Sequence, residues 1–429
     1  MTVPDQPPLP RLRVITREVE PVGDVLAYAA LSNPTFWSRR GDALAASGQS
    51  MVFTRIGSSE GLDFGARWRA LAAAAEIDDP MRLPGTGLVA FGAFAFDPRS
   101  GSASTLTVPE VVVGRRGGRS WITRITPVDS PADRESLRAL PEKTDYGPYW
   151  SAILGPGALD PSGYQAAVRG GLDAIASGEV SKVVLARDLA GSVPAGSDLR
   201  RLVRSLATGY PDCWAYAVDG IIGASPETLV TVSGGTVTAR VLAGTAPRGA
   251  DADADTAASL ALATSAKDQD EHLYAVQSVL AALRPHTSVL AASEQPFTLK
   301  LPNVFHLATD VEGELGGGAS ALELVAALHP TAAVAGTPTD AALEVIRRLE
   351  PFDRGRYAGP VGWVDAHGDG EWAIALRCAQ FDLGAVSHDA GERIPLLAHA
   401  GAGIVDGSNP EAELLETRVK FRPIVDALA

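Results

Sequence analysis

The segment that most constrains this chain is residues 180–187, because it places a lysine inside an apolar strand. The β-branched and apolar residues on both sides of Lys182 predict a β-strand buried in a sheet. A buried ammonium either pairs with a carboxylate or loses its proton, and buried lysines with a lowered pKa can act as bases. The alternative is a lysine on an edge strand whose amine reaches water. The segment alone does not decide between these two interpretations.

Length and charge limit the classes of function that the chain can have. Its 429 residues suffice for two or three average domains or for one large two-part fold. A hydrophobic content of 46% and a mean hydropathy of +0.07 are ample for a packed core. The formal net charge of −14 argues against nucleic-acid binding, since phosphates need a basic surface. An anionic small substrate remains compatible if a local cation or metal overrides the global field.

No segment of the sequence predicts export or membrane insertion. No apolar run approaches the ~20 residues that a membrane helix requires. The first ten residues are proline-rich and lack the hydrophobic region of a secretory signal. Cys213 and Cys378 are too few and too far apart to suggest a disulfide framework or a zinc site. We therefore expect a cytoplasmic globular protein of enzyme size.

The distribution of strands and helices predicts an α+β fold. Residues 1–158 contain strand-like runs without a specific signature, and a proline- and glycine-rich stretch at 141–161 marks the boundary to residues 159–429. A helix is predicted from Ser162, as its cap, to Gly178. Residues 251–263 are expected to be a mobile or helical linker. Strands and helices are interspersed without regular βαβ alternation, which disfavours a doubly wound sheet.

Two predicted helices carry pairs of acidic residues on one face. The first begins at about Lys267 and has Asp268 and Glu271 three positions apart. Its predicted apolar stripe is Leu273, Val276, Leu280 and Leu283. The second begins at Asn409-Pro410, where asparagine caps the helix and proline takes its first position.

On the second helix Glu413 and Glu416 are three apart, and Lys420 follows four residues later. Brought together, the two acidic pairs would offer oxygen ligands for Mg²⁺, which prefers few carboxylates together with waters and substrate oxygens. The alternative is that these are ordinary acidic first turns that favour the helix dipole.

Seven motifs in chain order carry a resemblance to a known family. They are SKVVLAR at 181–187, GASPE at 223–227, LAGTAPR at 242–248, KDQDEH at 267–272, LHPT at 328–331, AGAGIV at 400–405 and ELLET at 413–417. Together they resemble the chorismate-utilising enzymes, and within that family the isochorismate synthases. The resemblance covers roughly residues 160–429. It implies a large two-subdomain fold in which antiparallel sheets are flanked by helices.

The same resemblance implies a set of site residues. Mg²⁺ would be held by Glu271 and Glu416, with Asp268 and Glu413 in a supporting, water-bridged layer. This sequence departs from the family at Asp268, where the family often has glutamate. The residues implied around the ring and carboxylates of the substrate are Gly244, Thr245, His306, Tyr357, Arg377, Gly401, Gly403 and Lys420.

Two of these residues have further interpretations. Arg377 is predicted to lie on a strand face with Ala373, Ala375 and Ala379, leaving room for a bidentate contact with a carboxylate. The alternative is that Arg377 pairs with one of the acidic helices. For His306 a structural role, with its ring nitrogens satisfied by protein partners, is the alternative.

The expected chemistry is addition of water to chorismate. Lys182, as a neutral amine, would deprotonate a water that adds at C2 of the ring, and protonated Glu227 would donate to the departing C4 hydroxyl. This requires a lowered pKa at Lys182 and a raised one at Glu227. The product would be isochorismate, for menaquinone or siderophore biosynthesis.

Three alternatives belong to the same family or its edges. A salicylate synthase would go on to eliminate pyruvate, a choice that residues 331–335 are expected to influence because they should line the ring. Amine-transferring relatives couple to a glutamine amidotransferase, and the anthranilate enzymes among them lack lysine at position 182. A third possibility is a non-catalytic relative that binds chorismate. We expect water as the nucleophile, no amidotransferase subunit, and a monomer.

Overall fold

A computed structural model describes residues 9–57, 63–130, 139–300, 304–384 and 392–429. The helices in these ranges are α1 (Phe64–Ala74), α2 (Pro161–Ala176), α3 (Arg200–Gly209), α4 (Ala252–Thr264), α5 (Ala266–Leu283), α6 (Ala321–Leu328), α7 (Thr339–Leu349) and α8 (Pro410–Leu428), with short 3₁₀ turns at Leu26–Tyr28 and Arg284–His286. Among them, none is long and apolar enough to span a membrane.

The strands form two large sheets. The first sheet contains β1 (Leu12–Val19), β2 (Thr35–Arg39), β3 (Asp42–Ser47), β5 (Glu76–Asp78), β8 (Val111–Arg116), β9 (Arg119–Pro127), β10 (Gly155–Pro156), β11 (Lys182–Pro194), β12 (Trp214–Val218), β13 (Ile221–Ser225), β19 (Gly336–Thr337), β22 (Cys378–Phe381) and β23 (Arg393–Ile404). The second contains β4 (Met51–Ile56), β6 (Val89–Ala93), β7 (Ala103–Val108), β14 (Thr228–Ser233), β15 (Thr236–Pro247), β16 (Thr287–Ala292), β17 (Phe297–Lys300), β18 (Val304–Leu315), β20 (Pro360–Asp365) and β21 (Gly370–Ile374).

The predicted α+β class, with antiparallel sheets flanked by helices, is confirmed. Among the described strands every pairing is antiparallel except that of β1 with β5. Both sheets contain strands from before and after residue 158: β2 pairs with β12 in the first sheet, and β6 pairs with β20 in the second. The two parts of the sequence are therefore joined through the sheets themselves.

The strand that carries Lys182 is internal, as its apolar sequence predicts. It is β11, which pairs with β23 from Val183 to Pro194 and with β19 at Lys182 and Val183. The edge-strand alternative is therefore wrong, because β11 has a neighbour on both sides at this end. Val183 and Leu185 are fully buried in the larger hydrophobic core.

The local signals at helix ends are mostly confirmed, with one correction. Asn409 caps α8 through its side chain, and Pro410 takes the first helical position. The cap of α2 is Asp160, whose carboxylate accepts from the N–H of Gly163, and not Ser162, which lies inside the helix. Proline at position 161 explains the shift, because it favours the first helical position and so places the cap at residue 160, two residues earlier than predicted.

The helices α4 and α5 resolve two further predictions. Residues 251–263 are helical, since Asp251 caps α4 and two more aspartates stand in its first turn. The helix predicted from about Lys267 begins at Ala266. Its predicted apolar stripe is partly wrong: Val276 and Leu283 are buried, whereas Leu273 is 55% exposed, because none of the described elements packs against that face.

Candidate active site

All fourteen residues that the sequence singles out line one cavity of about 250 Å³. The first sheet supplies Lys182, Gly401 and Gly403, the second supplies Gly244, Thr245 and His306, helix α5 supplies Asp268 and Glu271, helix α8 supplies Glu413, Glu416 and Lys420, and connecting segments supply Glu227, Tyr357 and Arg377. The cavity therefore lies where the two sheets meet the two acidic helices. The roles assigned to these residues stay predictions.

The amine of Lys182 finds a carboxylate in the cavity wall. Its Nζ lies 2.5 Å from Oε1 of Glu271, and its side chain is 12% exposed. Gly403, on the adjacent strand, leaves room for this side chain, because a Cβ there would lie 3.1 Å from Cε of Lys182. Of the two possibilities for a buried lysine, the structure shows pairing with a carboxylate. The ion pair joins the predicted base to a predicted metal ligand.

A second lysine–glutamate pair lies on the opposite side, within helix α8. Nζ of Lys420 lies 2.6 Å from Oε1 of Glu416 and donates a hydrogen bond to the backbone oxygen of Gly401 at 2.9 Å. Asp268 and Glu413 line the same cavity. One acidic pair from each helix therefore lines the same cavity, and the role of these residues as metal ligands stays a prediction.

Glu227 is a carboxyl group of the site that has no side-chain hydrogen-bond or ion-pair partner among the described residues. It follows β13, where the hydroxyl of Ser225 accepts from the Glu227 N–H at 3.2 Å and donates to the backbone oxygen of Ile374 at 2.6 Å. Burial raises the pKa of Glu227 to about 7, although Lys182, Lys420 and Arg377 each act to lower it. Such a carboxyl group remains largely protonated up to about neutral pH.

Arg377 reaches the cavity in a way that the sequence pattern did not predict. It lies at a bend between β21 and β22, in the left-handed region with φ of +50°, and not on a strand face. The alternative pairing with an acidic helix is also absent: among the described residues its guanidinium has no hydrogen-bond or ion-pair partner. Burial lowers the pKa of Arg377, but a guanidinium remains charged. A free cation in a small cavity suits a carboxylate ligand.

Two aromatic side chains complete the wall. Nδ1 of His306 lies 2.9 Å from the hydroxyl of Thr245, and burial, helped by Arg377 and Lys420, lowers the pKa of His306 to about 3. This histidine is therefore neutral. Tyr357 stacks on His399 with ring centroids 5.1 Å apart, and burial raises the pKa of its phenol.

The glycine at 244 has φ of +79°, and a Cβ there would lie 3.3 Å from Cβ of Asp268.

The sequence did not single out a buried ion pair beneath the cavity. Arg354, which lines the cavity, lies 2.5 Å from Glu350, and their side chains are 3% and 1% exposed. Arg354 also donates to the backbone oxygens of Val184 and Val334, and Glu350 accepts from the N–H of Ala186. The i, i+4 spacing of opposite charges was the available signal, but it is equally typical of exposed helix faces.

The donor set of the cavity fits Mg²⁺ in chemical type. The four carboxylates from helices α5 and α8 are hard oxygen ligands, and Glu271 and Glu416 each contact a lysine. No cluster of three or more potential ligands stands together anywhere in the described part of the chain. Mg²⁺ commonly takes one or two carboxylates and completes its shell with waters and substrate oxygens, so it does not need such a cluster.

Comparison with known proteins gives a consistent set of relatives. The sequence profile of the chorismate binding enzymes matches residues 6–429, which extends the similarity beyond the motifs to nearly the whole chain. Isochorismate synthase DhbC of Bacillus subtilis is 42% identical over 281 residues, 63% of this chain and 68% of the relative. Isochorismate synthase EntC of Escherichia coli K12 is 34% identical over 345 residues, 79% of this chain and 80% of the relative.

A solved structure agrees with these relatives. The menaquinone-specific isochorismate synthase MenF from Escherichia coli superposes with a TM-score of 0.76 at 25% identity, covering 98% of this chain and 95% of that one. The similarity therefore includes the N-terminal strands as well as the part of the chain that carries the motifs.

Proposed function

This chain belongs to the chorismate binding enzymes, and from that premise we propose how its cavity performs the reaction of an isochorismate synthase. The enzyme is an isomerase that converts chorismate to isochorismate, for menaquinone or siderophore biosynthesis. The observation that carries the mechanism is a single cavity that brings Lys182 together with Glu227, whose pKa is raised to about 7 and whose carboxyl group has no partner in the described part of the chain.

The acid and the base act on the ring in one exchange of water. Lys182 removes a proton from water, whose oxygen bonds to C2 of the ring while the ring double bonds shift and the C4–oxygen bond breaks. Glu227 donates its proton to the departing hydroxyl, which leaves as water. One water enters and one leaves, so the reaction is an isomerisation. Base action requires that the pair of Lys182 with Glu271 open.

The other residues bind and orient the dianionic substrate. Arg377, which has no partner in the described residues, takes one carboxylate through its guanidinium. Lys420 and the backbone of Gly401 and Gly403 flank the ring. We propose that Mg²⁺ is held by Glu271 and Glu416, with Asp268 and Glu413 in support; when bound, it would neutralise and position the ring carboxylate. Positioning and charge compensation then supply much of the rate enhancement.

We also propose that the enzyme works in the cytoplasm, as a monomer and without a glutamine amidotransferase subunit. Cys213 and Cys378 are both buried and unpaired, which suits a reducing compartment. The lysine at 182 supports water, and not ammonia, as the nucleophile. Light scattering of the purified protein measures its oligomeric state.

Product analysis tests the proposal most directly. Purified protein is incubated with chorismate and Mg²⁺, with and without ammonium, and the products are separated by chromatography. We expect isochorismate alone under both conditions. Accumulating salicylate would instead establish a salicylate synthase, anthranilate would rule out water as the nucleophile, and unchanged chorismate would leave a non-catalytic binding protein.

A further inference from the structure

A second, larger cavity lies outside the substrate site, between helices α1 and α6 and the second sheet. Its volume is about 640 Å³, within the range of small-molecule sites. Its walls include the rings of Phe64, Phe94 and Phe96, and Arg55 lies at its edge. The reaction described above uses none of these residues.

The aromatic side chains form one wall of the cavity as a column of stacked rings. Phe64 and Phe94 stack at 4.8 Å with their planes 6° apart, and Phe94 in turn stacks on Trp372 at 5.1 Å. The faces of Phe64 and Phe94 are occupied by one another, by Trp372 and by Arg55, so a ligand in the cavity meets the edges of these rings. Edge-to-face contact with an aromatic ligand adds to the free energy of burying apolar surface.

Arg55 differs from the other charged residues of this cavity in its partners. Its acidic residues are occupied: Asp97 accepts two hydrogen bonds from Arg347, Glu323 pairs with Arg69, and Asp63 caps helix α1. Arg55 lies with its guanidinium 5.2 Å from the ring centre of Phe64 and has no ion-pair partner within the described ranges.

The remaining basic side chain does not compete for an anion. His329 also lines the cavity, and Nε2 of its ring donates to the backbone oxygen of Phe96 at 2.9 Å. Burial lowers its pKa to about 4, so this imidazole is neutral at physiological pH. Arg55 is therefore the cation available to a ligand, and it stands beside the aromatic wall.

The second cavity also touches the wall of the substrate site. Phe96 lies under the guanidinium of Arg354, whose Cζ is 4.4 Å from the ring centre, and Arg354 donates to the backbone oxygen of Val334 at 3.0 Å. Val334 and Arg354 line the substrate cavity, and Pro330, four residues before Val334, lines the second one. A ligand that displaces Phe96 would move a group in contact with the substrate cavity.

We propose that the second cavity is a regulatory site for a small aromatic carboxylate, with the ring against Phe64 and Phe94 and the carboxylate on Arg55. Occupancy changes turnover through Phe96 and Arg354. This site is separate from the one at which chorismate reacts, and its ligand need not resemble the substrate beyond a ring and a carboxylate.

Binding of benzoate, measured by calorimetry in the absence of chorismate, tests the site. We expect saturable binding to the wild type, and binding weakened by about tenfold or more in Arg55→Gln, which loses a charge-assisted contact. Ala326→Trp places a bulky ring into the same cavity from an exposed helix position and should abolish binding. Benzyl alcohol, which lacks the carboxylate, should bind no better than benzoate binds to Arg55→Gln.

Arg377→Ala distinguishes binding at the second cavity from binding at the substrate site, which benzoate could also enter. We expect this variant to bind benzoate as the wild type does. Absence of saturable binding to the wild type, or binding that is lost in Arg377→Ala and kept in Arg55→Gln, would overturn the proposal. These measurements need no turnover, so their failure is distinct from failure of the proposed reaction.

Turnover tests the coupling. With benzoate present we expect a changed kcat at saturating chorismate in the wild type and none in Arg55→Gln, whose own kcat without benzoate should be unchanged. Purely competitive inhibition, or the same response in both proteins, would show that the second cavity does not act on the substrate site.

Discussion

At Glu227 two opposing electrostatic effects meet, and burial is the larger. Three cations, Lys182, Lys420 and Arg377, favour the carboxylate, yet removal from water raises the pKa to about 7. The result is a proton held at neutral pH close to the predicted base. A carboxyl group whose pKa lies near the working pH is suited to act as a general acid.

The pH dependence of kcat/KM, which reports ionisations of the free enzyme, should show the loss of this proton. Since the acid form is the active one, activity should fall as the pH rises through about 7, the pKa of Glu227 in the free enzyme. Glu227→Gln should lower kcat by about 10²-fold or more, with a smaller effect on KM, and lose the falling limb. Lys182→Ala should also lower kcat by about 10²-fold or more. A Glu227→Gln variant with near-normal kcat and an unchanged profile would remove this residue from the mechanism.

The same raised pKa predicts that Glu227→Gln, which loses activity, gains stability at high pH. A carboxyl group whose folded pKa of about 7 exceeds its ordinary value of 4.5 stabilises the fold fully below that ordinary value. This contribution is lost as the pH rises through the folded pKa. At pH 8 the free energy of unfolding of Glu227→Gln should therefore exceed that of the wild type by roughly 1–3 kcal/mol, as measured by chemical denaturation. At pH 4 the two proteins should be similar; equal stability at both pH values would contradict the raised pKa.

At the scale of elements, helices α5 and α8 each bring one acidic pair to the cavity. One glutamate of each pair forms an ion pair with a lysine, Glu271 with Lys182 and Glu416 with Lys420. A dication bound by these carboxylates would change the partner of both lysines. Metal binding and the availability of the base are therefore linked through the same two side chains.

We expect strict dependence on Mg²⁺. Removal of divalent ions with EDTA, and either Glu271→Gln or Glu416→Gln, should abolish turnover while circular dichroism shows an intact fold. Asp268→Asn should cost less, because its shorter side chain is expected to act in support. Glu411→Gln, at an exposed position in the first turn of α8, is the matched control and should retain activity. Full activity after EDTA treatment would exclude the metal.

At the scale of the whole molecule, Glu350 and Arg354 connect segments that are far apart in sequence. The pair bonds β11 at the backbone of Val184 and Ala186 and bonds the segment before β19 at Val334. Lys182 lies two residues before Val184, so this contact bears on the placement of the base.

Breaking this pair on one side should be costly. Arg354→Met leaves the buried carboxylate of Glu350 without its cation and should reduce the free energy of unfolding by about 3–5 kcal/mol. The double variant Arg354→Met with Glu350→Gln should recover part of that loss, since no uncompensated charge remains. Arg348→Met, which breaks the exposed pair with Glu179, is the control and should cost about 1 kcal/mol or less. Chemical denaturation measures all three, and equal losses for the exposed and buried pairs would refute the argument.

Much of the fold and of the site could be predicted because the signals are local. The strand at Lys182, the cap at Asn409 and the acidic spacing on α5 and α8 follow from residues within a few positions of one another. The motifs then predicted which segments belong to one site, and the structure places all fourteen residues around one cavity.

Long-range packing determined the rest. Strand periodicity did not reveal that Arg377 stands at a left-handed bend, because that bend forms where the chain passes from the second sheet to the first. Leu273 fits a helical stripe but is exposed, because it is left uncovered by the other elements that the structure describes. Local sequence determined which residues form strands, helices and caps. Tertiary structure alone decided the raised pKa of Glu227 and the placing of N-terminal strands in both sheets, since burial and strand pairing depend on residues distant in the chain.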